Sequence, residues 1–282
     1  MWTERLAVTG QRGAPAGVDM NVPSVARVYD FMLGGKDNFA VDRMVADHAL
    51  KITPDGPQAA QANRAFLRRV VRFLVAEQGV DQFLDLGSGL PTQGNVHEVA
   101  TRHDPEARVV YVDNDPIVLA HGRALLAHDG TATVIQADAR SPESILENPD
   151  VRRFLDFDRP IGLLLFAILH HLRDDEDPKS VATTLCAALP PGSYVAISHF
   201  RDPGERHPDA SRKAREVEKV FNQSLGTGRW RTDEEILSFV DGLEVVEPGL
   251  VPLAAWRPEP AEGTPKQTDT YHTFVGLVAR KP

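Results

Sequence analysis

Phe83-Leu84-Asp85-Leu86-Gly87-Ser88-Gly89-Leu90-Pro91-Thr92 decides the fold. An apolar strand runs into a Gly-x-Gly turn, and Pro91 suits the first turn of a helix following directly behind it. Glycines at such a turn let backbone N–H groups approach a ligand, and a helix N-terminus favours an anionic group beside them. A dinucleotide fingerprint wants a third glycine at position 92, where packing beside a pyrophosphate is tight, and Thr92 stands there instead. NAD and FAD are therefore disfavoured.

Outward from that stretch, short apolar runs alternate with helical segments. QFLDL leads to a helix ending near Arg102, and RVVYVD to a helix ending near His128. ATVIQAD and IGLLLFAIL follow, then a helix opening at Asp177-Pro178 and closing at Pro190-Pro191-Gly192, then SYVAISHF. Such alternation predicts an α/β fold of parallel strands joined by helical crossovers. A charged helix from about Asp209 to Phe221 and another announced by the Thr232-x-x-Glu235 capping box precede LEVVE and TFVGLVAR, which bring the expected strands to seven. Asp113 ends the second strand twenty-four residues past Gly89, where a carboxylate can grip a ribose diol with two hydrogen bonds. Asp138 ends the third, placed to accept from an adenine amine while Ala139 offers its backbone N–H to the ring. Three strand ends thus converge on one crevice. A ligand with a nucleoside and an amino-acid tail but no pyrophosphate needs only the first half of the fingerprint, and S-adenosylmethionine is such a ligand.

The strings FLDLGSG, VYVDNDP, QADAR, LHHL and LPPGSYVAISHF resemble the successive motifs of class I S-adenosylmethionine-dependent methyltransferases over about residues 80 to 200. PSVARVYDFMLGGKDNFAVDR, NRAFLRRVVRFL and DLGSGLPTQGNVHEVA extend the likeness, across nearly the whole chain, to a bacterial S-adenosyl methyltransferase family carrying a YDFMLGGKDNF-type segment. The resemblance implies a Rossmann-like sheet of seven mostly parallel strands with the last antiparallel, and S-adenosylmethionine as cofactor; it names no acceptor. Leu90-Pro91-Thr92 departs from the broad class I pattern. So does Ile161–Ala167, which lacks the acidic or Asn-Pro-Pro-type residues that some amino-group methyltransferases carry there, and amine methylation by that device is disfavoured.

The expected cofactor set is Asp85, which orders the loop, with Gly87, Ser88, Gly89, Asp113, Asn114, Asp138, Ala139 and Phe166 at the strand ends. Residues 1–57 read as an N-terminal tail and helical cap, and residues 58–282 as the cofactor-binding domain. One short helix, VARVYDFML, opens at Pro23 or Ser24 and stops at Gly34-Gly35; a second, capped by Asp37 or Asn38, runs to Thr53-Pro54. The resemblance implies that the segment between them is a lid, with Tyr29, Gly35, Lys36 and Asn38 touching the cofactor or acceptor; a plain helix–helix turn is the alternative. From Gln58 to Gln78 one amphipathic helix carries Arg64, Arg68, Arg69 and Arg72 on a solvated face, from which Arg64 alone can reach the crevice. Methyl transfer from a sulfonium needs mainly alignment, with a base only if the acceptor must lose a proton. His170, His171 and His199 at strand ends, and Tyr29, are the candidates, against the alternative of capping or solvated histidines.

A formal net charge of -9 disfavours nucleic acid and points to a small-molecule acceptor. One cysteine, Cys186, excludes an intrachain disulfide and a cysteine-clustered metal site, and no other metal site is expected. The first residues lack a secretory apolar core and no stretch reaches a membrane span, so a cytoplasmic protein is expected. The connection from Glu247 to Tyr271, with its Pro258–Thr270 loop, is long; Trp256 within it is a candidate for an acceptor pocket, and the stretch itself for extra strands or an oligomer contact. A non-catalytic S-adenosylmethionine-binding module and a nucleotide-dependent oxidoreductase are the competing functions.

Overall fold

In the computed structural model, which describes residues 18–91, 94–126, 130–259 and 263–282, the apolar runs form one mixed sheet. Strands β1 (Gln82–Leu86), β2 (Arg108–Asp113), β3 (Ala132–Gln136), β4 (Gly162–Phe166) and β5 (Tyr194–Phe200) are parallel. β6 (Glu244–Val245) and β7 (Val251–Pro252) both pair antiparallel with β8 (Phe274–Arg280), which itself runs antiparallel to β5. The sheet has eight strands rather than seven, in the order β3-β2-β1-β4-β5-β8-β6 with β7 on β8. The extra strand, Val251–Pro252, is two residues long, too short to carry an alternating signal.

The chain's helices are α1 (Val25–Met32), α2 (Ala40–Ile52), α3 (Gly56–Ala76), α4 (Val96–Ala100), α5 (Pro116–Leu125), α6 (Pro142–Leu146), α7 (Pro149–Phe154), α8 (Pro178–Ala188), α9 (Pro208–Leu225), α10 (Asp233–Leu237) and α11 (Asp269–Thr273). Strands buried on both faces explain why QFLDL and GLLLF are almost unbroken apolar runs. Leu84, Leu86, Val110, Leu163 and Leu165 pack with α6, α7 and α8; Phe83, Val109, Leu164 and Phe166 pack with α3 and α4. β1 goes on to β2 and β3 on one side and has β4 on the other, so the order reverses at its C-terminal end, where ligands bind in open α/β sheets.

Two local expectations change. The helix after the glycine loop starts at Val96, so Pro91 lies before it and not in a helical first turn; Thr92, the substitute for the third glycine, falls outside the described residues. Trp256 is fully buried between Phe66 and Phe73, with ring centroids 5.5 and 5.7 Å away, and serves the core rather than an acceptor pocket. Arg69 is buried too, not solvated: it donates to the carbonyls of Leu253 and Trp256 (2.7 and 2.9 Å) and so fixes that connection.

The N-terminal cap hangs on one carboxylate. Asp42 Oδ1 accepts from Ser24 N (3.0 Å), and Oδ2 accepts from Arg27 Nε (2.8 Å) and Phe39 N (2.7 Å), tying the starts of α1 and α2 together with no exposure of its own. It does for α2 what Asp37 or Asn38 was expected to do. Removing it strands a buried guanidinium, at a cost of about 3–5 kcal/mol. Asp42→Ala is expected to speed amide hydrogen exchange selectively across 25–52; an equal rise in β1, β4 and β5 would mean that the cap and sheet unfold as one unit.

Candidate functional site

Beyond the C-terminal ends of the parallel strands lies a cavity of about 630 Å³. One end of it is polar and is built by the sheet. Gly87 N and Ser88 N donate to Val112 O (2.8 and 3.3 Å), which folds the glycine loop back over β2. Gly87 holds φ +69°, and a Cβ there would lie 2.7 Å from the Ile168 side chain; Gly89 holds φ +67° and faces open space. Asp113 Oδ2 accepts from Gly89 N and Oδ1 from Asp115 N, both at 2.9 Å. Burial pushes the Asp113 carboxyl above the usual carboxylate range despite those two donors. The Asp85 carboxyl is buried without a hydrogen bond among the described residues. Desolvation, opposed by the Arg64 charge and reinforced by Asp113, raises its carboxyl to about 7.

Asp138 and Ala139 also line the cavity, but Asp138 is already engaged: Arg140 Nε reaches both of its oxygens (2.9 and 3.0 Å) and Arg140 Nη1 donates to Glu176 (2.9 Å). Those contacts, led by the Arg140 hydrogen bonds, hold the Asp138 carboxyl below its ordinary value. The cap closes this end. Ser24 Oγ donates to Asp115 Oδ2 (2.6 Å), while Tyr29 Oη donates to Ala60 O (3.2 Å) and accepts from Asn63 Nδ2 (3.0 Å). Burial raises the Tyr29 phenol further, so it stays neutral at physiological pH.

After β4 the chain turns through Ala167, a non-glycine residue at φ +55° held by Ser198 Oγ (2.9 Å) and Ser198 O (3.1 Å). Such a residue costs about 1–2 kcal/mol, and the turn it makes delivers the 169–171 helical turn to the cavity wall. His170 is fully buried, and its Nδ1 accepts from Phe200 N (3.1 Å); since a backbone N–H only donates, the ring proton sits on Nε2, which has no partner among the described residues. His171 is half-buried on the wall with Nδ1 equally unpartnered, and burial lowers it to about 4, so it is neutral at pH 7. The turn is braced from behind by buried Arg231, which donates to Leu169 O (3.1 Å), Leu172 O (3.0 Å) and Asp174 (2.7 Å).

A family model described as S-adenosyl methyltransferase matches residues 11–282. The chain belongs to that family. Among solved structures it is similar to a candidate methyltransferase from Thermobifida fusca YX (45% identity, TM-score 0.87, covering 95% of this chain and 98% of that one). It is also similar to a duf574 family protein from Streptomyces avermitilis MA-4680 (38% identity, TM-score 0.87, 94% and 99% covered). An O-methyltransferase family protein from Burkholderia thailandensis, at 16% identity and TM-score 0.51 over 82% of this chain and 61% of that one, shares the fold alone. No curated protein matches the chain. This methyltransferase therefore uses S-adenosylmethionine as methyl donor, the one of the three sequence readings that family membership supports.

The structure brings together on the methyltransferase's cavity Tyr29, Asp85, Gly87, Ser88, Gly89, Asp113, Asn114, Asp138, Ala139, Phe166, His170 and His171. Gly35, Lys36, Asn38 and His199 lie off its wall. Gly35 and Asn38 build a turn around Asp30: a Cβ at Gly35 would lie 1.9 Å from Asp30 Oδ1, and Asn38 Nδ2 donates to Asp30 Oδ2 (2.8 Å). Lys36 points to solvent from that turn. His199 faces the opposite side of β5, buried against Arg231 (3.3 Å) and Phe239, and desolvation lowers it to about 3. No local pattern marked Asn63, whose buried Oδ1 lacks a partner among the described residues, or Ala167; the charged pattern of α9 concealed an inner face, Ala214, Val217 and Phe221, that lines the cavity.

Asp85 carries a pH signature. Its folded-state carboxyl titrates near 7 against 3.8 as reference, so the stability it lends is complete below about pH 4 and is lost as pH rises through about 7. That elevation sets a ceiling of about 4 kcal/mol on the effect. Asp85→Asn is expected to match the parent's Tm near pH 4 and exceed it at pH 8. A gap that does not change with pH would show that Asp85 ionises as an ordinary surface acid.

Proposed function

We propose that this methyltransferase methylates a small molecule held between its N-terminal cap and the sheet, with the glycine loop and the ends of β1–β3 holding the cofactor. The observation that carries the reading is the neighbouring pair Asn63 and Arg64 on the cavity wall, beside Asp85 and the glycine loop. An amino-acid tail supplies an ammonium for the first and a carboxylate for the second. An ammonium there draws the Asp85 carboxyl toward its ionised form, in which it serves as counter-charge. Asp113 keeps a free lone pair on each oxygen for a ribose diol, and Gly89 leaves its surroundings open for close backbone approach. The residues present therefore fit S-adenosylmethionine, which when bound supplies an electrophilic methyl group on a sulfonium.

The protein's own work is then alignment and exclusion of water. The described part of the cap, from residue 18 to 57, covers the nucleoside end through Ser24 and Asp115. Of the candidate bases, His171 is the one with a neutral ring partly exposed to the cavity; His170, without accessible surface, backs it. The excess of acidic over basic residues argues against a nucleic-acid acceptor. Among the described residues no helix is long and apolar enough to cross a membrane.

Isothermal titration with S-adenosylhomocysteine tests the assignment. Arg64→Ala and Asp113→Ala are each expected to weaken binding by about 1–3 kcal/mol through lost charge-assisted hydrogen bonds. Parent affinity in either variant removes that residue from the cofactor site, and binding of NAD in place of S-adenosylhomocysteine overturns the arrangement altogether.

A further inference from the structure

The two ends of the cavity differ in kind. Its charged side chains belong to the cofactor end and its rim, among them Arg64, Asp85, Asp113, Asp138, Arg140 and Glu176. The opposite end, between α2, α9 and the start of β8, is walled by Met32, Phe200, Val217, Phe221, Trp230 and Phe274. Phe200 stacks on Trp230 with centroids 4.3 Å apart and planes 12° off parallel, and on its other side stacks on His170 at 3.6 Å and 15°. Phe274 meets Phe200 edge-on at 5.0 Å. With both faces of Phe200 covered, this end offers aromatic edges and apolar side chains and no charged side chain. The His171 ring is placed to serve it: Thr227 Oγ1 already donates to His171 O, and His170, though its Nε2 is unpartnered among the described residues, has no accessible surface, whereas His171 is partly exposed.

Resting on the cofactor assignment above, we propose that the acceptor is an uncharged aromatic molecule bearing a ring hydroxyl, bound in this aromatic lobe with its hydroxyl toward His171. A protonated amine or a carboxylate would have to shed its water here with nothing to replace it, whereas a neutral ring gains edge and face contacts with the aromatic walls. The hydroxyl donates its hydrogen bond to a neutral imidazole nitrogen. As the hydroxyl oxygen forms its bond to the methyl carbon, the carbon–sulfur bond breaks and its electron pair stays on sulfur as a neutral thioether. The hydroxyl proton passes to His171, which returns it to solvent. The apolar faces of α9 and α2 keep competing water out, and Arg231 holds the histidine turn in place.

The test uses three probes of one shape: 2-naphthol, 2-naphthoate and 2-naphthylmethylamine, titrated into the full chain at pH 7 by calorimetry and by tryptophan emission, with and without saturating S-adenosylhomocysteine. 2-Naphthol is expected to bind at least tenfold more tightly than either charged probe and to quench emission in a manner lost in Trp230→Phe. Val217→Glu should weaken 2-naphthol at least tenfold while leaving S-adenosylhomocysteine affinity within twofold, which also certifies the variant's fold. Equal or tighter binding of a charged probe to the parent chain, or no binding of 2-naphthol, overturns the acceptor class and leaves the cofactor site standing. Failure of S-adenosylhomocysteine to bind the parent overturns the cofactor site instead, and the probe ranking is then read on the ligand-free chain.

Discussion

Both oxygens of the Asp113 carboxylate are engaged by backbone N–H groups, Gly89 on one side and Asp115 on the other, and much of the site is a consequence of that clasp. It locks the glycine loop of β1 to the end of β2. By fixing the backbone of residue 115 it also aims the Asp115 side chain, which caps α5 through Ile117 N (3.0 Å) and takes the Ser24 hydroxyl. A continuous run of hydrogen bonds therefore leads from the centre of the sheet to the first turn of α1. The cap owes its position over the crevice to this run and to Asp42, and its own small apolar cluster around Val28, Val45 and Ala46 adds little area by comparison with the sheet's two cores.

The cavity's electrostatics follow from the same architecture. Parallel strands end together, so residues at or just past their ends, Asp85, Asp113 and Asp138, collect on one edge. Away from that edge the wall is made by helices whose inward faces must be apolar to bury themselves, and α9 is the plainest example: Arg212, Arg215 and Lys219 face water while Ala214, Val217 and Phe221 face in. A charged pocket end beside an aromatic one is what a sheet edge meeting an amphipathic helix produces.

How much of this could be read in the sequence depended on the range of the interactions. Local periodicity and capping gave the strands, the Ser24 and Asp177 helix starts, and the capping box at Thr232, since each is decided within a few residues. The strand-end aspartates and the glycine loop were legible for the same reason. What was not legible depended on distant partners. Trp256 reads as an accessible aromatic on a loop until Phe66 and Phe73 close on it, and Arg69 as one more surface arginine until the carbonyls of Leu253 and Trp256 arrive from 184 and 187 residues away. His199 shares the strand-edge position of its rivals, but the alternation of β5 turns its side chain to the far face, and a one-residue difference in phase separates a cavity residue from a core residue. Arg64, Arg68 and Arg72 recur every four residues along one side of α3, and the buried Arg69 is the one that falls outside that step.

Ala167 joins strand order to inheritance. Its left-handed backbone is held open by the hydroxyl and carbonyl of Ser198, a residue with no exposed surface that does not line the cavity. Homologues that differ at the position of Ser198 would differ, one strand away, in where the histidine turn stands. In comparing acceptor preferences across the family, a silent-looking exchange in the middle of β5 thus belongs among the substitutions that count, beside those of the pocket wall itself.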